Sequence, residues 1–419
     1  MDKPTLNKSV VCIIGLGYVG LPLAQAFSNS LKVTGYDNDK EKLREFKNTV
    51  SSPNILFTDN PEEIGKADFI IICVPTPITR SKEPDLTHIK DTAGIIGQNM
   101  KRGTTVILES TVYPGVTEEI VTPILEKESG LKCGEAFNIG YSPERINPGD
   151  SEHSIDRVTK VVAGMDEETT ELLAELYGQI TPHIFRAKNI KTAEAAKVIE
   201  NIQRDLNIAL VNELAIIFDK MDLSTRDVLS AAATKWNFHP YTPGLVGGHC
   251  IPVDPYYLVY KSRELSYHPQ VILAGRAIND NMPRYVAQMT IKALNSLGKV
   301  INGARVLIMG LTYKENVADT RESPVKEIIK ELREYGVEVW GYDPLLSNIG
   351  GEFDIKVVET LNDLPEADAV IFTIAHDSFK KIDLSEFKKH LNQKAVLVDL
   401  KQIFNRDDAE KAGLSYLTL

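Results

Sequence analysis

Cys250 is the residue whose surroundings most directly suggest chemistry. It follows a Gly-Gly-His segment, and Asp254 lies four residues further on. Glycines let a backbone come close to a bound ligand, and a lone cysteine in a loop of a cysteine-poor chain is a candidate nucleophile. From its setting alone, Cys250 could equally be a small buried apolar residue. That is the interpretation we favour for Cys12 and Cys73, which lie inside apolar runs.

Lys197 and Asn201 form a second candidate group. They are four residues apart in a segment with helical periodicity, so they share one face of the predicted helix. Arg204 lies about one further turn along that face. A lysine among small apolar residues can also simply satisfy a nearby carboxylate such as Glu194. The spacing therefore leaves a structural role and a catalytic role open.

Glu144 and Arg145 are adjacent in the turn-rich segment Ile139–Gly149. An acid and a base side by side can be an ordinary surface pair. In a loop beside a cofactor site they can also take part in chemistry. Both interpretations stay open at this point.

The elements that must position these residues begin with a dinucleotide-binding pattern. The apolar segment Val10–Ile14 predicts a buried parallel strand, and residues 15–20 read Gly-Leu-Gly-Tyr-Val-Gly before a helix. The glycines permit a tight turn and the close approach of a pyrophosphate at the helix N-terminus. A second predicted strand, Val33–Asp37, ends in an acid. Asp37 would accept the ribose hydroxyls and repel a 2′-phosphate, which favours NAD over NADP.

Two further predicted strands, Ala67–Val74 and Thr104–Leu108, each end in small polar residues. Ligands of open α/β sheets bind beyond such strand ends. Thr76 and Thr111 could therefore line a nicotinamide pocket, although ordinary loop hydroxyls need no function.

The middle of the chain is predicted to be helical. Apolar residues recur with helical period on more than one face from about 190 to 220, which indicates a long, largely buried helix. A second long helix is predicted over 268–297. The Cys250 segment lies between them, and its flanking prolines favour a rigid loop over helix or strand. Those prolines are Pro240, Pro243, Pro252 and Pro255.

The last third repeats the strand order of the first. Its four corresponding apolar segments are Ala304–Gly310, Val337–Asp343, Ala367–Thr373 and Ala395–Asp399. This repeat predicts a second doubly wound α/β domain. Its first turn lacks the three-glycine pattern, so a pyrophosphate could not bind there in the same way. Lys314 and Arg321 instead supply positive charge suited to a different phosphorylated ligand.

The totals limit the possible classes of protein. A chain of 419 residues is too long for one core of usual size, so two or three domains are expected. Its net charge of −11 argues against nucleic acid or an anionic membrane as a partner. The four cysteines lack a framework spacing, which favours a reducing compartment. Without an evident signal peptide or membrane-spanning run, a cytoplasmic protein without a metal site is predicted.

With these residues assembled, the chain resembles the UDP-glucose/GDP-mannose dehydrogenase family over nearly its whole length. The matching motifs are Gly15-x-Gly17-x-x-Gly20, Pro75-Thr-Pro77, Glu109-Ser-Thr111, Ser142-Pro-Glu-Arg145, Lys197-x-x-x-Asn201, Gly247-Gly-His-Cys250-x-x-x-Asp254 and Tyr313-Lys314 with Asp319-Thr-Arg-Glu-Ser323. Members of this family oxidise the C6 hydroxymethyl of a nucleotide sugar to a carboxylate and reduce two NAD in succession.

The resemblance implies two Rossmann-like parallel-sheet domains joined by a central helical domain with a long helix. The expected boundaries are 1–188 for the NAD-binding domain, 189–297 for the central catalytic and dimerisation domain, and 298–419 for the UDP-sugar-binding domain. Long central helices in the family commonly form a homodimer. The implied pathway is the synthesis of polysaccharide or glycan precursors.

The resemblance also implies roles for individual residues. Cys250 would capture the C6 aldehyde as a thiohemiacetal, and oxidation would give a thioester that water hydrolyses. Lys197 would stabilise the oxyanion or move a proton, and Glu144 would be the base for hydrolysis. Asn201 and Asp254 would position a water and the substrate oxygen.

Cofactor and substrate contacts follow in the same way. The implied NAD contacts are Gly15, Gly17, Tyr18, Val19, Gly20, Asp37, Lys42, Thr76, Thr111 and Arg321. The implied UDP-sugar contacts are Arg145, Ile146, Lys197, Asn201, Arg204, His239, Tyr241, Gly247, Tyr313, Lys314 and Lys401.

The particular sugar is a separate question. Arg145-Ile146 and His249 stand where UDP-glucose dehydrogenases usually carry Phe-Leu and Ser, so the chain is similar to the branch acting on UDP-N-acetylhexosamines. Asn147 favours the N-acetylglucosamine or N-acetylgalactosamine form, with UDP-N-acetylmannosamine and then UDP-glucose as alternatives. A simple two-electron dehydrogenase and a catalytically silent nucleotide-sugar-binding protein are the rival classes.

Overall fold

The computed structural model describes residues 6–145, 154–347 and 349–419. The chain divides into two compact units. The first unit consists of Met1–Asn201 and Val253–His268, and the second consists of Ile202–Pro252 and Pro269–Leu419. The three domain boundaries drawn from the sequence stay predictions.

The described residues form fourteen strands in two sheets. The strands are β1 Val10–Ile14, β2 Lys32–Tyr36, β3 Ile55–Thr58, β4 Phe69–Ile72, β5 Thr105–Leu108, β6 Asn138–Tyr141, β7 Lys160–Gly164, β8 Ile184–Arg186, β9 Arg305–Met309, β10 Glu338–Tyr342, β11 Lys356–Val358, β12 Ala367–Phe372, β13 Leu391–Asp399 and β14 Ser415–Leu417.

The α-helices range from single turns to one of 30 residues. They are α1 Gly20–Ser28, α2 Lys40–Thr49, α3 Thr87–Asn99, α4 Thr122–Ser129, α5 Glu167–Tyr177, α6 Ile190–Asp219, α7 Thr225–Ala232, α8 Asp254–Glu264, α9 Gln270–Ser296, α10 Val325–Glu334, α11 Gly350–Phe353, α12 Leu384–Phe387 and α13 Arg406–Lys411. A π-helical turn, Thr117–Val121, precedes α4.

The first unit is built on an eight-stranded sheet in the order β3-β2-β1-β4-β5-β6-β7-β8. All neighbouring strands run parallel except β6 and β7. In β4, Ile70 and Ile72 pack in the apolar cluster on one face, whereas Phe69 and Ile71 pack in the cluster on the other. A strand buried on both faces explains why this segment is apolar without alternation. Cys12 is fully buried in the interior strand β1, as predicted.

The second unit contains a six-stranded parallel sheet in the order β11-β10-β9-β12-β13-β14. In β9, Val306 and Ile308 face one apolar cluster, and Leu307 and Met309 face the other. The predicted fold class, two parallel-sheet Rossmann-like regions with a helical centre, is therefore confirmed.

Helix α6 confirms the long central helix, but it is not buried all round. Its apolar residues Ile199, Leu210 and Ile217 are 53%, 55% and 43% exposed in this chain. They are eleven and seven residues apart, which are close to whole numbers of helical turns. The three side chains therefore form one apolar stripe along the helix, and the prediction of a largely buried helix is wrong for that face.

The prediction that prolines keep the Cys250 region out of helix is wrong at its C-terminal end. Helix α8 begins at Asp254 and carries Pro255 in its first turn. Proline is favourable there because the N–H it lacks has no partner within the helix at that position. The loop prediction holds for Pro240 to Cys250, where no regular element forms.

Candidate active site

The glycines of the first turn are required by the backbone itself. Gly15 has φ +90°, and a Cβ there would lie 2.8 Å from the carbonyl oxygen of Cys73. A Cβ on Gly20 would lie 2.0 Å from the carbonyl oxygen of Gly15, so the turn and α1 could not pack. A Cβ on Gly17 would meet no protein atom within 4 Å. Gly15 and Gly20 thus keep the turn tight, and Gly17 leaves open space beside it.

Asp37 follows β2 and is held beside this turn. One of its carboxylate oxygens accepts hydrogen bonds from the backbone N–H of Leu16 and from Lys42 Nζ, both at 2.9 Å. The other accepts from the Asp39 N–H at 3.1 Å. Burial raises the pKa of Asp37, but the Lys42 and backbone hydrogen bonds outweigh it and lower the pKa below its usual value. The acid is therefore ionised, as an acceptor of ribose hydroxyls must be.

Two loops at the strand ends are fixed by hydroxyl groups. Ser110 Oγ, two residues after the end of β5, donates to the Val74 carbonyl at 2.6 Å. Tyr257 Oη, on α8, donates to the Thr76 carbonyl at 2.9 Å. Thr76 and Thr111 are half-buried on these loops. Sequence reasoning missed Tyr257, because its hydrogen-bond partner is a backbone carbonyl distant in the chain.

Lys197, Asn201 and Asp254 are buried together in the first unit. Asn201 Nδ2 donates to Asp254 Oδ2 at 2.6 Å, and Lys197 Nζ donates to the Glu144 carbonyl at 2.6 Å. Burial raises the pKa of Asp254 to about 6, against the opposing effects of Lys197 and of the Asn201 hydrogen bond. The first unit thus brings four of the five predicted catalytic residues together, with an acid that can exchange a proton near neutral pH.

Arg145, a predicted substrate contact, is ion-paired with Glu200 on α6 and donates to the Thr159 carbonyl at 2.9 Å. Arg204 is exposed. Ile146, which was predicted to contact substrate, and Asn147, which informed the choice of sugar, lie outside the described residues.

Cys250 lies half-buried in the second unit, after two glycines that pack on Tyr313. A Cβ on Gly247 would lie 2.9 Å from Tyr313 Cβ and 2.7 Å from Pro324 Cδ. Gly248 has φ +87°, and a Cβ there would lie 2.6 Å from the Tyr313 ring. The glycines therefore bring the backbone close to the protein's own aromatic ring, which fixes the segment that carries the thiol.

Lys401 lies near the same loop: a Cβ on Gly244 would be 3.1 Å from its Nζ. Burial lowers the pKa of Lys401. Asn212, on α6, holds Gly244 with two hydrogen bonds, accepting from its N–H at 2.8 Å and donating to its carbonyl at 3.0 Å. Sequence reasoning missed Asn212, which looks like one more polar residue of a long helix.

The remaining predicted contacts of the second unit differ in exposure. Tyr241 and Lys314 are half-buried, whereas His239 is exposed. Arg321 is also exposed, and its guanidinium donates hydrogen bonds to both carboxylate oxygens of Asp319 at 2.6–3.1 Å.

Comparison with known proteins decides the family. Three family models match consecutive parts of the chain: the NAD binding domain over 9–181, the central domain over 191–281 and the UDP binding domain over 307–406, all of the UDP-glucose/GDP-mannose dehydrogenase family. The chain belongs to this family.

Relatives match this dehydrogenase over nearly its full length. Protein CapL of Staphylococcus aureus is 46% identical over 417 residues, 96% of this chain and 98% of that protein. The UDP-N-acetyl-D-glucosamine 6-dehydrogenase of Pseudomonas aeruginosa is 46% identical over 415 residues, with the same coverage. The structure of the UDP-D-ManNAc dehydrogenase of Pyrococcus horikoshii matches with a TM-score of 0.88 at 29% identity and covers 98% of both chains.

The dehydrogenase is an NAD-dependent oxidoreductase with a UDP-sugar-binding domain, and both predictions are thereby confirmed. The first unit fits NAD: Gly17 leaves space for a pyrophosphate, and the ionised Asp37 stands beside the turn. NAD, when bound, accepts the hydride that an oxidation releases.

Among the described residues, no cluster of three or more His, Cys, Asp or Glu side chains could hold a metal ion. None of the helices in the described part of this dehydrogenase is long and apolar enough to cross a bilayer.

Proposed function

We propose that the protein oxidises the C6 hydroxymethyl of a UDP-N-acetylhexosamine, in the gluco or galacto form, to the uronate. The observation that carries this proposal is the segment Gly247–Cys250, whose packing on Tyr313 fixes a half-buried thiol in place. Oxidation to an aldehyde needs no thiol, whereas oxidation to a carboxylate gains from a covalent intermediate. The name of the Pseudomonas aeruginosa relative supports the N-acetylglucosamine form.

The overall reaction balances as one hydroxymethyl group, two NAD and one water giving one carboxylate, two NADH and three protons. Cys250 Sγ adds to the C6 aldehyde and forms a thiohemiacetal, whose carbon again carries a hydrogen that can leave as hydride. Loss of that hydride and of the hydroxyl proton leaves a thioester. Water then adds to the acyl carbon, the carbon–sulfur bond breaks, and the thiolate is restored.

The buried residues of the first unit supply the polar groups of this scheme. Lys197, a cation, stabilises the negative oxygen of each step, and Glu144 takes the proton of the hydrolytic water. Asn201 and Asp254 orient the substrate oxygen. Their mutual hydrogen bond supports this pairing, because each fixes the other's rotamer.

Further proposals extend this scheme. We propose that the protein is a cytoplasmic homodimer, supported by the exposed stripe of Ile199, Leu210 and Ile217 on α6, and that its product enters polysaccharide synthesis. We also propose the domain boundaries 1–188, 189–297 and 298–419. We further propose that the residues predicted above as NAD and UDP-sugar contacts bind these ligands. The similarity to the Pyrococcus horikoshii structure favours UDP-N-acetylmannosamine as the second candidate substrate.

The first test is NADH formed per sugar consumed. With UDP-N-acetylglucosamine, -galactosamine, -mannosamine and UDP-glucose offered in parallel, we expect two NADH per sugar, and the highest kcat/KM for the gluco or galacto N-acetyl form. The Cys250→Ser variant should lose uronate formation at least about 1000-fold, since the alcohol is a poor nucleophile and a poor leaving group.

Cys133→Ser is the matched control, because Cys133 is also only partly buried and lies in the first unit outside all of the motifs. One NADH per sugar, or normal uronate output from Cys250→Ser, would refute the covalent scheme. No turnover with any of the four sugars, together with tight UDP binding, would support a silent binding protein instead.

A further inference from the structure

A buried ion pair in the first unit belongs to none of the predicted contacts. Lys160, the first residue of β7, places its Nζ 2.8 Å from Glu109 Oε1, and the two side chains are 3% and 0% exposed. Tyr177 Oη donates to the same carboxylate oxygen at 2.6 Å. The Lys160 ammonium also stands 5.1 Å from the centre of the Tyr177 ring.

Stability is a weak reason for this arrangement. Taking two charges out of water costs several kcal/mol per ion, and well-packed apolar residues often replace such a pair without loss. Glu109 Oε2 is buried and has no hydrogen-bond partner among the described residues, so the cluster is not fully satisfied. Burial lowers the pKa of Lys160, but the Glu109 and Glu144 carboxylates raise it above its usual value. Lys160 thus stays a charged donor.

The remaining contact of Lys160 leads to the proposed hydrolytic base. Lys160 Nζ donates to the Pro143 carbonyl at 3.1 Å. Lys197 Nζ donates to the next carbonyl, that of Glu144, at 2.6 Å. The segment from Ser142 to Arg145 has no regular secondary structure that would fix it. Two lysines therefore hold consecutive carbonyls on either side of the Glu144 α-carbon.

The contacts of Glu109 lead to the proposed cofactor side. Glu109 follows β5 directly, and its N–H donates to the Ile72 carbonyl at the end of β4. Its neighbour Ser110 is bonded to Val74, and Thr111 is a proposed NAD contact. The ion pair thus joins the strand end that carries a cofactor contact to the segment that carries the base.

We propose that Lys160 and Glu109 are a positioning pair that fixes the Pro143–Glu144 backbone relative to the strand ends of the NAD-binding sheet, and so sets the rate of thioester hydrolysis. This inference rests on the proposed function, in which Glu144 takes the proton of the attacking water while the acyl–sulfur bond to Cys250 breaks. Neither residue of the pair touches the reacting atoms in this role.

The test replaces both members together, as Glu109→Gln with Lys160→Met, because removal of one charge would leave the other buried and unpaired. The matched control is Asp68→Asn with Lys101→Met. Lys101 and Asp68 form a lysine–carboxylate pair at 2.7 Å in the same unit, but it is 42% and 25% exposed and contacts neither segment.

The measurement is rapid mixing with saturating NAD and the fastest UDP-sugar of the panel. The NADH formed before the first hydrolysis appears as a burst, and the amplitude of this burst measures the concentration of active sites. The slope that follows the burst gives the rate of thioester hydrolysis. For the double variant we expect steady turnover per active site to fall about tenfold, with the burst rate within about twofold of wild type, since small displacements of a catalytic group cost one to two powers of ten. Acyl-Cys250 should accumulate in quenched samples, as seen by intact mass.

The outcomes separate the inference from the function on which it rests. Wild-type turnover per active site in the double variant overturns the pairing role alone, as does an equal loss in burst and steady rates. Wild-type hydrolysis by Glu144→Gln overturns the role of Glu144 and the inference with it. If the double variant does not fold, Tyr177→Phe carries the test: a loss of about threefold confined to hydrolysis supports the role, and no such loss overturns it.

Discussion

The first strand of each sheet is followed by a turn, and the two turns share three of six residues but differ in what surrounds them. Residues 15–20 read Gly-Leu-Gly-Tyr-Val-Gly, and residues 310–315 read Gly-Leu-Thr-Tyr-Lys-Glu. At the third position, Gly17 leaves open space beside the first turn. Thr312 fills the corresponding position of the second turn, buried, with its hydroxyl 3.1 Å from His376 Nε2. Room for a ligand in one turn corresponds to an internal hydrogen bond in the other.

The acids at the ends of β2 and β10 differ in the same sense. Asp37 accepts a hydrogen bond from one backbone N–H of the turn after β1, that of Leu16, and forms an ion pair with the partly exposed Lys42. Asp343 accepts two, from Leu311 at 2.8 Å and Thr312 at 3.1 Å. It also lies 3.2 Å from His376, with its side chain fully buried. In the second sheet, the turn residue and the acid that would face a dinucleotide instead form hydrogen bonds within the protein. A Rossmann-like sheet in which these groups are already bonded offers no dinucleotide site.

The largest expected effect on this contrast comes from Gly20→Ala. The new methyl would lie 2.0 Å from a backbone oxygen, so the turn must move, and NAD affinity should fall about 1000-fold in a fluorescence titration. Glu315→Ala, at the equivalent position of the second turn, should change NAD affinity by less than about twofold. Equal NAD affinities for Gly20→Ala and wild type would show that the first turn does not bind the cofactor.

Gly17→Thr gives the first turn the residue that the second turn has at its third position, Thr312. Because nothing surrounds the new Cβ, the protein should keep its melting temperature while NAD affinity falls about 100-fold. UDP affinity, measured by calorimetry, should not change. The reverse change, Thr312→Gly, removes the bond to His376 but should create no second NAD site. A stoichiometry of two NAD per chain in that variant would contradict the comparison.

The smallest effect concerns the acids. Asp343→Asn should lower the free energy of unfolding by about 1–2 kcal/mol at pH 7, since an amide cannot replace every accepted bond. Asp37→Asn should cost less stability but more NAD affinity. Urea unfolding followed by tryptophan fluorescence measures the Asp343 effect, because both tryptophans, Trp236 and Trp340, lie in the second unit. Circular dichroism, to which the helices of the first unit also contribute, measures the Asp37 effect.

The pH dependence of the Asp343 effect has a definite sign. Burial raises the pKa of Asp343, but the bonds from His376 and the backbone lower it below the usual value of about 3.9. Its stabilisation is therefore present above pH ~4 and is lost as the pH falls through the lowered pKa. The difference between wild type and Asp343→Asn should shrink at pH 3. A difference that grows toward low pH would contradict the hydrogen bonds assigned to Asp343.

Much of this architecture could be predicted from local patterns. Buried parallel strands are continuous apolar runs, and the glycine turn has a fixed spacing, so β1, β2 and their repeat in the last third are evident in the sequence. The short strands β6, β7 and β8 were not predicted. They are completed by neighbours distant in the chain, as Lys160 is by Glu109.

The identities of the candidate site residues could be predicted from the sequence, whereas most of the contacts that position them could not. Motif spacing pointed to Cys250, Lys197 and Asp254. The backbone segments that hold these residues in place depend on tertiary packing, which motif spacing does not show. The glycines before Cys250 were interpreted as making room for ligand, yet they pack against Tyr313. Such a close contact between residues far apart in sequence leaves no periodic or local signal.

Helix α8 imposes a constraint of another kind. It begins at Asp254, and three residues later Tyr257 reaches the Thr76 carbonyl. One inserted residue between them would turn the tyrosine by about 100° around the helix axis and remove its hydroxyl from that carbonyl. Insertions and deletions are thus excluded from this interval even where substitutions are tolerated. The irregular stretch from Pro240 to Gly244 has no such periodicity, and changes in chain length during evolution can accumulate there.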